Sequence, residues 1–204
     1  MSFLNASTSF TRFRIVDPVP SDLWPSIEQR LKQFAFIDID NTSEERAFGW
    51  VCFDDMLDPA WITAPASKAE YITFSLRLDT RRIPAAVLKK HTMLALREEE
   101  ARNKEQGKKF ISRERKKELR EQTKLRLLSR FLPIPATFNV VWSGPTGMVY
   151  LASTQSKICD MFMEHFTLTF DLHLEPLTPY QLAVNNLSEA ELAKLDDLQA
   201  TQFA

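Results

Sequence analysis

The strongest constraint on this fold is a long helix-forming run in the middle of the chain. From Ala85 to Arg130 there is one glycine, Gly107, and no proline. The run is rich in Ala, Leu, Glu, Lys and Arg, the residues that most favour helix. Pro84 suits the first position of a helix, because its missing N–H has no intrahelical partner there. Gly107 breaks the run, and Ser112 can cap a second helix to about Arg130. At ~1.5 Å per residue the two helices would be about 35 and 28 Å long. They are expected to form an antiparallel hairpin.

Apolar residues are unevenly placed along that hairpin. Val87, Leu88, Leu94, Ala95 and Leu96 lie near its start, and Leu125, Leu127, Leu128, Phe131 and Leu132 near its end. From Arg97 to Lys109 only Ala101 is apolar, and from Ser112 to Lys124 only Leu119. The pattern predicts a projecting arm with a core-facing root and a distal half held by one thin seam. Pairs at i,i+4 such as Glu98–Arg102 and Glu100–Lys104 would support it.

The same stretch concentrates charge. Arg77 to Arg130 holds 18 of the 26 Lys and Arg residues but 8 of the 27 Asp and Glu, a net of +10. The remaining 8 basic and 19 acidic residues give −11, so the total of −1 conceals two opposed parts. From Lys108 to Arg126 nine basic residues face three acidic ones. An unbalanced basic arm carries self-repulsion that a polyanion relieves. Nucleic acid is favoured over an acidic protein partner or an anionic membrane. The candidate phosphate contacts are Arg77, Arg81, Arg82, Lys89, Lys90, Lys108, Lys109, Arg113, Arg115, Lys116, Lys117, Arg120 and Lys124. Nothing resembles a helix-turn-helix, a zinc finger or RNA-stacking aromatics, so sequence-independent duplex binding is expected.

The flanking segments read as sheet and short helices. Residues 8–16 alternate as a strand, Pro18 and Pro20 end it, and Ser21 or Asp22 can cap a helix to about Phe34 with Leu23, Ile27 and Leu31 on one face. FGWVCF (48–53) reads as a strand and 54–67 as a loop. YITFSLRLD (71–79) has a fully apolar face of Ile72, Phe74, Leu76 and Leu78, so a half-buried strand is expected. After LPIP (132–135), TFNVVW and MVYLAS read as a hairpin joined by SGPTG. Thr154 to Phe166 reads as a helix and TLTFDLHLE (167–175) as a strand. LTPYQLA suggests one helical turn, and SEAE, Ser188 to Glu191, a capping box. The expected class is α+β: antiparallel sheets, packed helices and an inserted basic helical hairpin. The body would comprise 1–80 and 132–182, the arm 81–131, and an acidic tail 183–204.

Catalytic motifs are not found. Four glycines make no phosphate-cradling loop. His91, His165 and His173 lack metal-ligand spacing, so surface or helix-end roles are expected. Cys52 and Cys159 read as reduced, buried thiols. No cofactor or metal is expected. A metal-dependent nuclease would draw on Asp38, Asp40, Asp54, Asp55 and Asp58, although loop carboxylates of this kind usually serve turns. The N-terminus has no secretory pattern and no apolar run would span a bilayer, which predicts a cytoplasmic protein without membrane attachment.

Several features in order resemble the recombination-associated protein RdgC family. They are FGWV (48–51), a strand ending in basic residues and RIP (82–84), the charged helical pair, and LP (132–133). Trp142 to Gly147, STQSK (153–157) and LEPLTP (174–179) follow. The resemblance implies a nucleoid-associated protein that binds double-stranded DNA without sequence preference. It also implies a homodimer closing a basic ring around the duplex, and a functional link to a RecA-type recombinase. An exonuclease label travels with the family. The family's usual chain is longer by about half, with a C-terminal region that helps close the ring; a compact, phage-borne version is one reading. An aromatic after LP makes the family's tip contact, and Pro135 or Phe138 is the nearest occupant here. With Phe131 and Leu132 these are the candidate dimer contacts.

Overall fold

The computed structural model describes residues 3–107, 110–184 and 186–197. The body is an antiparallel sheet in the order β2-β4-β5-β6-β1-β7, with the short β3 also paired to β4. Its strands are β1 (Thr11–Ile15), β2 (Arg46–Val51), β3 (Ser67–Lys68), β4 (Tyr71–Thr80), β5 (Ile134–Ser143), β6 (Met148–Leu151) and β7 (Leu174–Pro176). The helices are α1 (Leu23–Gln33), α2 (Ala85–Glu105), α3 (Arg113–Leu128), α4 (Ser156–Phe170), α5 (Pro179–Val184) and α6 (Glu189–Asp196). The α+β reading holds.

β4 and β5 pair along their whole length, from Tyr71 opposite Ser143 to Thr80 opposite Ile134. The helical arm is thus an insertion within the central hairpin of the sheet. It leaves β4 after Thr80 and returns at Ile134, so its two ends are fixed by adjacent strands about 4.8 Å apart.

One face of the sheet is covered by α1 and α4. Leu23, Ile27 and Leu31 bury the inner side of α1, as their four-residue spacing predicts. On α4, Phe162, Phe166 and Phe170 stack one turn apart, with ring centroids 5.7 and 4.7 Å from each other. Phe166 and Phe170 meet Trp142 of β5, Phe170 also meets Phe74 of β4, and Phe162 meets Phe13 of β1 and Trp50 of β2. This aromatic ladder explains why residues 167–170 continue the helix instead of starting the strand expected over 167–175. Thr169 and Phe170 bury on the same face as His165 and Phe166, whereas Leu168 is 62% exposed. The helix stops at Asp171, whose left-handed φ of 58° turns the chain into the much shorter β7. His165, expected to have a surface or helix-end role, is buried in the α4 face against Phe34, Phe48 and Trp50.

The other face of β4 is also buried, against the half-buried expectation. Thr73, Ser75, Arg77 and Asp79 lie beneath two loop segments. Thr73 donates its hydroxyl to the Ala66 carbonyl, and the Arg77 guanidinium stacks 4.1 Å from the Phe36 ring and bonds the Met56 carbonyl. The segment after α1 crosses the outer edge of β2, where Phe36 N–H donates to Trp50 and Trp50 N–H to Phe34. That approach requires Gly49, since a Cβ there would lie 2.5 Å from the Phe36 backbone.

The small expectations for caps and turns divide. Ser112 accepts from Arg115 N–H at 3.1 Å and caps α3. Glu191 reaches back to the Ser188 N–H at 3.0 Å. Asp22 occupies the cap of α1 without a side-chain bond, and Pro84 precedes α2 as its cap residue. Cys52 is buried, Cys159 half-buried, and both are free thiols.

Candidate nucleic-acid interface

The arm differs from its expected form at the root. α2 has no buried residue, and Leu94 is 43% exposed. The buried side of the hairpin belongs to α3, through Leu119, Thr123, Leu127 and Leu128. These residues lie outside the body's own core cluster. Lys124 adds an ion pair with Glu45 of the body, which raises its ammonium pKa through the hydrogen bond and the carboxylate charge.

α3 sorts its charges by face. At about 100° per residue, Arg113, Lys116, Lys117, Arg120 and Lys124 fall within an arc of roughly 100°. Glu114, Glu118 and Glu121 lie outside that arc. Arg113, Lys116, Lys117 and Arg120 are exposed and form a stripe about 10 Å long. The stripe ends toward the body, where Lys124 is taken by Glu45. Arg115, on the other side of α3, pairs across the hairpin with Glu99 at 2.7 Å and along the helix with Glu118 at 3.1 Å. Its hydrogen bonds to those carboxylates raise its pKa further. Arg115 is thus a clasp between α2 and α3.

The hairpin's two sides are chemically distinct. One groove, of about 400 Å³, is lined by Ala85, Leu88, Lys89, Thr92, Met93 and Arg120. It contains two cations and no carboxylate. The opposite cleft, of about 280 Å³, mixes Glu98 and Glu99 with Arg102, Arg115 and Arg126. The first side presents cations alone, whereas the second interleaves both signs. Arg82, just before α2, and Lys89 and Lys90, in its first turns, are exposed as well.

Two candidate phosphate contacts are corrected by burial. Arg77 is 8% exposed, and its Nε and Nη2 each donate at 2.8 Å to a separate carboxylate oxygen of Asp79. That hydrogen-bonded pair raises the Arg77 pKa against the opposing effect of burial. Arg81 is 3% exposed and its guanidinium is spent on the carbonyls of Ile39, Asp40, Thr42 and Glu44. These two arginines hold the sheet and the 39–44 loop, so neither can reach a phosphate. The Arg77–Asp79 spacing of two residues, which places both on one strand face, was the available signal. Lys108 and Lys109 lie outside the described residues.

Among the candidate dimer contacts, Phe138 is buried at 7% exposure and belongs to the core. Its side chain joins the cluster under α4. Leu132 is 74% exposed, Pro135 is exposed and Phe131 half-buried. Ile134, which sequence reasoning passed over, is 61% exposed beside them.

The candidate nuclease carboxylates serve local structure. Asp38 accepts the Asp40 N–H, Asp55 that of Leu57, and Asp54 pairs with Lys68. Burial pushes the Asp58 carboxyl up, but bonds from Thr63 and Ala60 outweigh it and hold its pKa below the usual carboxylate range. Among the described residues, no three His, Cys, Asp or Glu side chains come together as metal ligands. Asp38, Asp54, Asp55 and Asp58 are thus committed to turn and ion-pair contacts.

An antiparallel sheet backed by two helices, with a basic helical hairpin inserted between its central strands, defines an arm-bearing α+β protein. A family model described as "Putative exonuclease, RdgC" matches residues 8–192. The chain belongs to that family, which accounts for nearly all of its length. No individual curated protein matches it. Among the described residues, no helix is long and apolar enough to cross a membrane.

Proposed function

We propose that this protein binds double-stranded DNA without sequence preference and, as a dimer, modulates homologous recombination in the nucleoid. The observation that carries the reading is the exposed stripe Arg113–Lys116–Lys117–Arg120, without an acidic partner among the described residues and continued by Lys89 across a groove that no carboxylate lines. Such a surface engages phosphates, which fix position but not sequence. Membership of the RdgC family supports the link to recombination. Exposed Leu132 and Ile134 at the arm's root support self-association.

Charge reversal of Lys116, Lys117 and Arg120 to Glu tests the reading by gel retardation of plain duplex. Retardation should vanish while the melting temperature is maintained, since all three side chains are exposed. Undiminished binding overturns the assignment. Light scattering with and without duplex tests the dimer, and Leu132→Asp should shift it toward monomer.

A further inference from the structure

We propose that Phe110 is a base-stacking contact, with which the tip of the arm recognises unpaired nucleotides in DNA. The inference rests on the DNA-binding reading above and adds to it a preference for interrupted duplex.

Phe110 is 86% exposed, the most exposed aromatic side chain among the described residues. The other apolar side chains of the distal α3 segment have structural employment. Leu119 is buried in the seam and Ile111 is half-buried. Phe110 has no such role among the described residues, and its ring is open to a partner.

Its position gives the ring a use. α2 runs 21 residues from the sheet, about 32 Å, before Gly107 turns the chain with a φ of +71°. Phe110 stands at that far end, just before Ser112 caps α3. The basic stripe begins three residues later at Arg113 and runs back along α3 through Lys116, Lys117 and Arg120. A DNA backbone held along the stripe therefore has Phe110 at one end of its contact. An exposed aromatic beside such a cationic track is the combination that stacks unpaired bases, and it is sequence-tolerant because every base presents a π-face. In intact duplex both faces of each base are occupied by neighbours, so stacking there requires the cost of opening a base step. At a gap that cost is already met.

The test compares a blunt duplex with the same duplex interrupted by a short single-stranded gap, by fluorescence anisotropy at one salt concentration. Wild-type protein should bind the gapped DNA about 10-fold more tightly or better. Phe110→Ala should erase that preference and leave intact-duplex affinity unchanged, and Phe110→Trp should restore it. Equal wild-type affinity for the two DNAs, or a preference retained in Phe110→Ala, overturns the inference while duplex binding stands. If Phe110→Ala instead dissociates the dimer with the preference intact, the ring is a subunit contact and the inference is wrong. Binding to neither DNA defeats the proposed function itself.

Discussion

Arg77 and Arg81 show how little a residue's charge says about its task. Both lie within the basic stretch, yet both are consumed by the body. The guanidinium of Arg77 has 9% side-chain exposure and the carboxylate of Asp79 2%. Removing one partner of a buried pair leaves the other charge without compensation, a loss of about 3–5 kcal/mol. Asp79→Ala should therefore lower stability by about that amount, read from urea denaturation. A loss below about 1 kcal/mol would show that water reaches the pair. Period-two alternation in 71–79 located the strand and its apolar face. It could not reveal that the polar face is roofed, because the roof comes from residues 36–45 and 52–66, remote in sequence.

At the level of elements, local pattern served where one period dominated and failed where two competed. α1 was legible from Leu23, Ile27 and Leu31, and the arm from its propensity and punctuation. Residues 167–175 satisfy strand alternation, but Phe162, Phe166 and Phe170 satisfy a helical stripe as well. Packing of that stripe against Trp142 and Phe74 decides for helix. The extended α4 carries His165 into a buried aromatic setting, with Nε2 3.3 Å from the Phe34 carbonyl. Burial lowers its pKa from the ordinary 6.5, partly offset by that hydrogen bond. The unfolded chain therefore binds the proton first as pH falls. The stability associated with neutral His165 is fully present above pH 6.5 and is lost as pH drops through the folded pKa. The urea midpoint should fall as pH drops below 6.5, and His165→Gln should flatten that decline. An identical pH profile in the variant would remove His165 as its source.

At the scale of the whole molecule, sequence and structure agree on charge separation but differ on how many charges are available. Of the thirteen candidate phosphate contacts, Arg77 and Arg81 are buried, while Arg115 and Lys124 already have carboxylate partners. Among the described residues, that leaves Arg82, Lys89, Lys90, Arg113, Lys116, Lys117 and Arg120 exposed. Composition supplied the total of +10; only the fold separates the cations that hold the protein from those that face outward. Counterion release ties this distinction to a measurable slope, because log K falls with log salt by about 0.9 per phosphate neutralised. If four to seven of the exposed cations engage duplex together, the slope is about −4 to −6. Lys117→Ala should reduce its magnitude by about 1, whereas Lys157→Ala, exposed on α4, should leave it unchanged. Equal effects at the two positions would mean that DNA is drawn by diffuse net charge. The acidic remainder of the chain makes that outcome distinguishable: DNA engaging α3 alone can avoid the body's carboxylates, whereas an undirected complex must meet both signs.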